Sequence, residues 1–148
     1  MKKFILNTLV LLTIAVATLS CDKEENVQAA DLPGTASTFV SANFPNATIA
    51  NVKREREGLN GREYEVTLND GTQISFDKDG NWTEVDGPGT AAIPDGFVIQ
   101  PIKDYIAKTY SGQKISSIEK DRNEFDVELT PSGIDLVFDL AGNFKRVD

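Results

Sequence analysis

The sequence predicts an α+β fold: two tandem repeats, each one helix packed on a four-stranded antiparallel meander sheet. Three observations predict it. An internal duplication runs through residues 32–148. Each copy opens with apolar residues at helical spacing. Each then alternates apolar and polar residues in short runs separated by turn-forming pairs.

The duplication is read position by position. Phe39-Val40 and Phe44 correspond to Tyr105-Ile106 and Tyr110, and Ile49 and Val52 to Ile115 and Ile118. Tyr64-Glu65-Val66-Thr67-Leu68 corresponds to Phe125-Asp126-Val127-Glu128-Leu129. Phe76-Asp77, Gly80-Asn81, Trp82 and Val85-Asp86 correspond to Phe138-Asp139, Gly142-Asn143, Phe144 and Val147-Asp148. The spacing changes only where loops belong. The first repeat spans residues 32–87 and the second 88–148, with Gly87, Pro88 and Gly89 in the link between them.

The elements follow in order. Ala36, Phe39, Val40 and Phe44 share one helical face, as do Ile102, Tyr105, Ile106 and Tyr110. Pro101 suits a first helical turn, Pro45 ends the first helix, and Gly112 ends the second. Tyr64, Val66 and Leu68 alternate with Glu63, Glu65 and Thr67, and Ile74 and Phe76 with Gln73, Ser75 and Asp77. Such period-two runs mark strands with one buried face. Asn60-Gly61, Asp70-Gly71 and Asp79-Gly80 supply the tight turns.

The first residues read differently. Lys2 and Lys3 precede an apolar run from Phe4 to Leu19 that ends at Ser20-Cys21. A basic start, a short apolar stretch and a small residue before a cleavage point describe a secretory signal over residues 1–20. Thr18-Leu19-Ser20-Cys21 resembles a bacterial lipobox, which implies lipidation at Cys21, the single cysteine of the chain. Its Leu stands two residues before the Cys, where the common pattern has three. Residues 21–31 then form a lipidated, acidic, flexible tether. Asp22, Lys23, Glu24 and Glu25 look like the export tag of surface lipoproteins in Bacteroidetes-like bacteria, or are a solvated charge run. The expected location is the cell envelope, as an outer-membrane lipoprotein that is periplasmic or surface-exposed.

Composition excludes several classes. The chain carries 15 basic and 23 acidic residues, and loss of Lys2 and Lys3 takes the net charge from −8 to −10. That opposes nucleic-acid binding, which needs a basic surface. It also opposes electrostatic adhesion to anionic lipid, so membrane contact is expected through the anchor only. There is no histidine, and no free thiol once Cys21 is lipidated. Histidine-based nucleophile systems and the usual nitrogen and sulfur zinc sites are therefore excluded. No cofactor, metal site or catalytic residue is expected.

Leu32-Pro33, Asn43-Phe44-Pro45-Asn46-Ala47, Tyr64-Glu65-Val66, Asp70-Gly71, Phe76-Asp77 and Gly80-Asn81-Trp82 carry a resemblance. They look like the PepSY-like, beta-lactamase-inhibitor-like proteins, tandem-repeat secreted or lipoprotein chains of Bacteroidetes-type bacteria. The resemblance covers residues 32–148 and implies the fold already read from the pattern. It also implies a sheet face that grips a protein, which in the namesake inhibitor is rich in aromatics. In this chain that face is acidic.

The candidate binding residues are accordingly the outward sheet positions: Glu63, Glu65, Thr67, Gln73, Ser75 and Asp77 in the first repeat, and Glu124, Asp126, Glu128, Asp135 and Val137 in the second. The alternative is that they form the ordinary solvated side of a sheet. Trp82 and Phe144 join them if each faces away from the helix. A β-bulge would instead bury each beside Val85 or Val147. Asp77-Lys78-Asp79-Gly80-Asn81 with Glu84 resembles part of a calcium loop, but its flanks and Asp-Gly pair read as a turn. The expected function is a non-enzymatic protein- or peptide-binding module, inhibitor-like in the manner the resemblance implies. The alternative is a small-ligand or cation-binding protein using the acidic face, and a hydrolase using paired carboxylates ranks last.

Overall fold

The computed structural model describes residues 24–57 and 61–148. The signal segment, Cys21 and the Asn60 turn position lie outside the described residues. The strands are β1 (Glu25–Val27), β2 (Ile49–Glu57), β3 (Gly61–Leu68), β4 (Gln73–Phe76), β5 (Trp82–Asp86), β6 (Lys114–Lys120), β7 (Glu124–Thr130), β8 (Ile134–Asp139) and β9 (Phe144–Val147). The helices are α1 (Gly34–Asn43) and α2 (Gln100–Thr109). All nine strands form one sheet in chain order, and every neighbouring pair is antiparallel. The two expected meanders, β2–β5 and β6–β9, are fused through β5 and β6.

The helices end where the sequence places them. Pro101 occupies the first turn of α2, where a missing N–H costs nothing. Phe44 caps α1 immediately before Pro45, and Tyr110 holds the same place in α2 before Gly112, whose φ is 85°. Ala36, Val40, Ile102 and Ile106 turn inward onto one side of the sheet. There they meet equivalent residues of both repeats: Val66 and Val127, Leu68 and Leu129, Ile74 and Leu136, Phe76 and Phe138. Among the described residues, neither α1 nor α2 covers the other side of the sheet.

Four bulges set which residues face that core, and they recur between repeats. β2 slips between Ile49 and Asn51, and β6 slips equivalently between Ile115 and Ser117. On the last strands, Phe76 pairs with Trp82 while Ser75 pairs with Glu84, and Phe138 pairs with Phe144 while Val137 pairs with Arg146. Thr83 and Lys145 are the extra residues. Each bulge turns two core-side residues, Trp82 with Val85 and Phe144 with Val147, to the helix side.

The Asp-Gly turns also work as pairs. The Asp77 carboxylate accepts hydrogen bonds from the backbone N–H of Asp79 and of Asn81, each at 2.9 Å, and from Asn81 Nδ2 at 3.0 Å. Asp139 repeats this with Ala141, Asn143 and Asn143 Nδ2. Gly80 and Gly142 close the turns at φ 82° and 83° and lie against the helix starts. A Cβ there would stand 2.7 Å from Pro33 Cβ, or 2.8 Å from Pro101 Cβ.

One expectation is corrected. The segment read as a flexible spacer includes β1, whose Asn26 and Val27 pair with Lys53 and Val52 of β2. Glu24 reaches Lys53 at 2.7 Å and Glu25 reaches Arg54. The pairing gives β2 a neighbour, and Val27 packs against the core. Three residues are too few for periodicity to reveal.

Candidate functional site

The open side of the sheet is built from alternate residues of all nine strands. One row runs unbroken across it: Asn26, Lys53, Glu65, Ser75, Glu84, Glu119, Asp126, Val137 and Arg146. A second row joins Thr67, Gln73, Asp86, Ser117, Glu128 and Asp135. Cations stand toward the ends of the first row. Carboxylates stand in the middle, where the repeats meet.

That middle is a shallow groove of about 300 Å³, lined by Glu84, Glu119, Asp126, Glu128, Asp135 and Asp148 with Ser117. Partial desolvation, with the Glu84 and Asp126 carboxylates, pushes the Glu119 carboxyl above its ordinary range. Partial desolvation, with Glu124 and Asp148, does the same to Asp126. Ser75 Oγ donates to Glu84 at 3.4 Å. Among the described residues, Glu84, Glu119, Asp126, Glu128 and Asp135 have no ion-pair partner. Glu124, by contrast, is bound by Lys145 and Arg146, which hold its carboxyl below the usual range.

The sequence-predicted residues fall into three groups. Glu63, Glu65, Thr67, Gln73, Ser75, Glu124, Asp126, Glu128 and Asp135 lie on the open side, as alternation requires. Asp77 stands in the turn beyond the end of β4, and its carboxylate is committed to that turn. Asn81 and the backbone N–H groups outweigh its desolvation and hold it below the usual range. Val137 is corrected, as are Trp82 and Phe144 as outward residues, for which the bulge alternative holds. Val137 is fully buried, because Arg146 reaches across β8 from β9 to Glu124 on β7 and covers it. Trp82 is half-buried on the helix side, with ring centroids 6.1 Å from Phe39, 5.2 Å from Phe97 and 6.3 Å from Phe125. Phe144 stacks on Tyr105 on the same side, at 4.6 Å and 10°. The bulges send both rings away from the open face.

The chain matches, over residues 19–61 and 62–146, the family described as "Putative beta-lactamase-inhibitor-like, PepSY-like". It belongs to this family. Three solved structures share its fold. A protein of Bacteroides thetaiotaomicron, described as a putative calcium-regulated periplasmic protein, is 30% identical, with TM-score 0.79 over 84% of this chain and 96% of that one. A putative periplasmic protein of Bacteroides vulgatus is 34% identical, with TM-score 0.80 over 86% and 98%. Another from the same organism is 27% identical, with TM-score 0.80 over 85% and 99%. No curated protein matches the chain.

The PepSY-like family has no known catalytic role. Within this PepSY-like chain, alternation alone missed Glu84, Ser117, Glu119 and Asp148. Glu84 faces outward only because of the bulge at Thr83, and it meets Glu119 only because β5 pairs with β6. The duplication carried a partial signal, since Glu84 stands where Arg146 stands in the second copy.

Proposed function

We propose that the chain is a non-enzymatic envelope lipoprotein, anchored through Cys21, whose open sheet face binds a protein or peptide partner through a basic segment. The observation that carries this is the Glu84–Glu119–Asp126 row, where carboxylates from both repeats adjoin and, among the described residues, none of the three is held in an ion pair. Like charges held side by side in a partly desolvated groove favour an arriving cation. The periplasmic descriptions of the Bacteroides relatives agree with an envelope location.

The second reading is binding of a small cation on the same face. The description of one relative as calcium-regulated favours it. Against it, among the described residues no three acidic side chains converge as a metal-holding group. Carboxylates spaced along a row suit an extended partner carrying several Lys or Arg better than one chelated ion.

The test is crosslinking in the native envelope, comparing the wild-type chain with a Glu84→Gln, Glu119→Gln, Asp126→Asn variant. A basic partner joined to the first and lost from the second supports the proposal. A partner retained by the variant moves the site off this face. Calcium that raises the unfolding temperature of the wild type but not of the variant establishes the second reading instead.

A further inference from the structure

Among the described residues the exposed large apolar side chains are Leu140, Phe144 and Val147, and all three belong to the β8–β9 hairpin. The first repeat indicates what covers such a hairpin. Val85 and Trp82 hold in β5 the places that Val147 and Phe144 hold in β9. Val85 is fully buried, with Ile118 of β6 opposite it, whereas Val147 is 52% exposed. Trp82 touches Phe97 and Phe125, both contributed by the second repeat. The ring neighbours of Phe144 are Tyr105 and Phe138 of its own repeat.

At the opposite edge the chain supplies a covering strand itself. Val27 against Val52 and Asn26 against Lys53 repeat the pairing of Val85 with Ile118 and Glu84 with Glu119. β1 thus stands in for the last strand of a preceding repeat. A second copy does not complete β9 by the same rule. If β9 took the place of β1 on β2 of another molecule, Arg146 would stand opposite Lys53. Like charges directly opposite each other disfavour a pairing.

We propose that the edge of β9 left unpaired among the described residues docks an extended segment of a partner protein as an additional, antiparallel strand. That segment carries an aliphatic residue opposite Val147 and a carboxylate opposite Arg146. β6 offers β5 this same order, Ile118 followed by Glu119. Main-chain hydrogen bonds give such strand addition its affinity, and alternate side chains give it specificity. Here the aliphatic residue covers Val147 and Phe144 on the helix side. The carboxylate joins Lys145 and Arg146 on the open side, where they already pair with Glu124 and, for Arg146, with Asp148, and where their side chains remain 41% and 46% exposed. The groove meets this edge at Asp148, which lines the groove and pairs with Arg146, but the Glu84, Glu119 and Asp126 carboxylates stand on β5, β6 and β7, so different substitutions test the two sites.

The probe is a fluorescein-labelled peptide with the sequence of residues 114–120, titrated against the full chain in mild detergent by anisotropy. Amide-exchange NMR locates the binding. The expected result is saturable binding with new protection of the β9 amides. Arg146→Glu weakens it at least tenfold and gains binding to the same peptide carrying Glu119→Lys. Three results overturn the proposal: no saturable binding, binding indifferent to Arg146→Glu, or protection of the β9 amides by concentration-dependent dimers without peptide, which makes a second copy the occupant.

Discussion

Glu84 and Glu119, one from each repeat, stand directly opposite each other across the β5–β6 pairing that fuses the two halves into one sheet. Like charges opposite each other on adjacent strands are unfavourable by about 0.2–1 kcal/mol. Glu84→Lys turns this repulsion into attraction and raises unfolding free energy by about 0.5–1 kcal/mol at low salt, an effect that shrinks as salt rises. Urea denaturation at two ionic strengths measures it.

The same cluster sets a pH dependence. A carboxyl whose pKa is raised on folding keeps its proton longer in the native state than in the unfolded chain. Its contribution is complete below the unfolded value, about 4, and is lost as pH rises through the folded value. Glu119 and Asp126 are of this kind. Glu119→Gln with Asp126→Asn therefore stabilises the protein at neutral pH and leaves it unchanged in acid. Thermal unfolding across the carboxylate range reads the difference directly.

Asp77 and Asp139 act with the opposite sign. Their pKa values are lowered, for Asp139 chiefly by the side chain of Asn143 and then by backbone N–H groups. Their stabilisation is present above the unfolded value and lost as pH falls through the folded one. Asp139→Asn lowers stability near neutral pH, because the turn loses a charge-assisted acceptor. It also flattens the acid limb of the stability curve.

The close approach of the turns to the helix starts predicts a graded glycine series. Gly80→Ala and Gly142→Ala combine a left-handed backbone with a Cβ inside 3.0 Å of proline carbon, and each costs more than about 2 kcal/mol. Gly89 has φ 64° but open space around it, so Gly89→Ala loses only about 1 kcal/mol. Equal losses at the three positions would show that helix contact adds nothing.

Trp82 reports on the repeat junction. It is the single tryptophan, and it lies among Phe39, Phe97 and Phe125. Trp82→Ala costs about 3–5 kcal/mol. Phe144→Ala costs less, since the ring is 36% exposed. Fluorescence during unfolding follows the separation of the two halves.

Much was legible in the sequence, because duplication checks each element against its copy. Phe76 and Phe138, the Asp77 and Asp139 turns, and the helix faces of Val40 and Ile106 follow from local spacing and turn chemistry. Those forces act within a few residues, so one chain read linearly determines them. The tertiary structure decided what depends on pairing between distant segments. It joined β5 to β6 and brought Glu84 against Glu119. Through bulges it turned Trp82 and Phe144 to the helix side. It folded β1 onto β2 and covered Val137 with Arg146. Strand partners and bulges are chosen by the whole sheet closing over one core. A shift of one residue reverses every facing that alternation alone would assign.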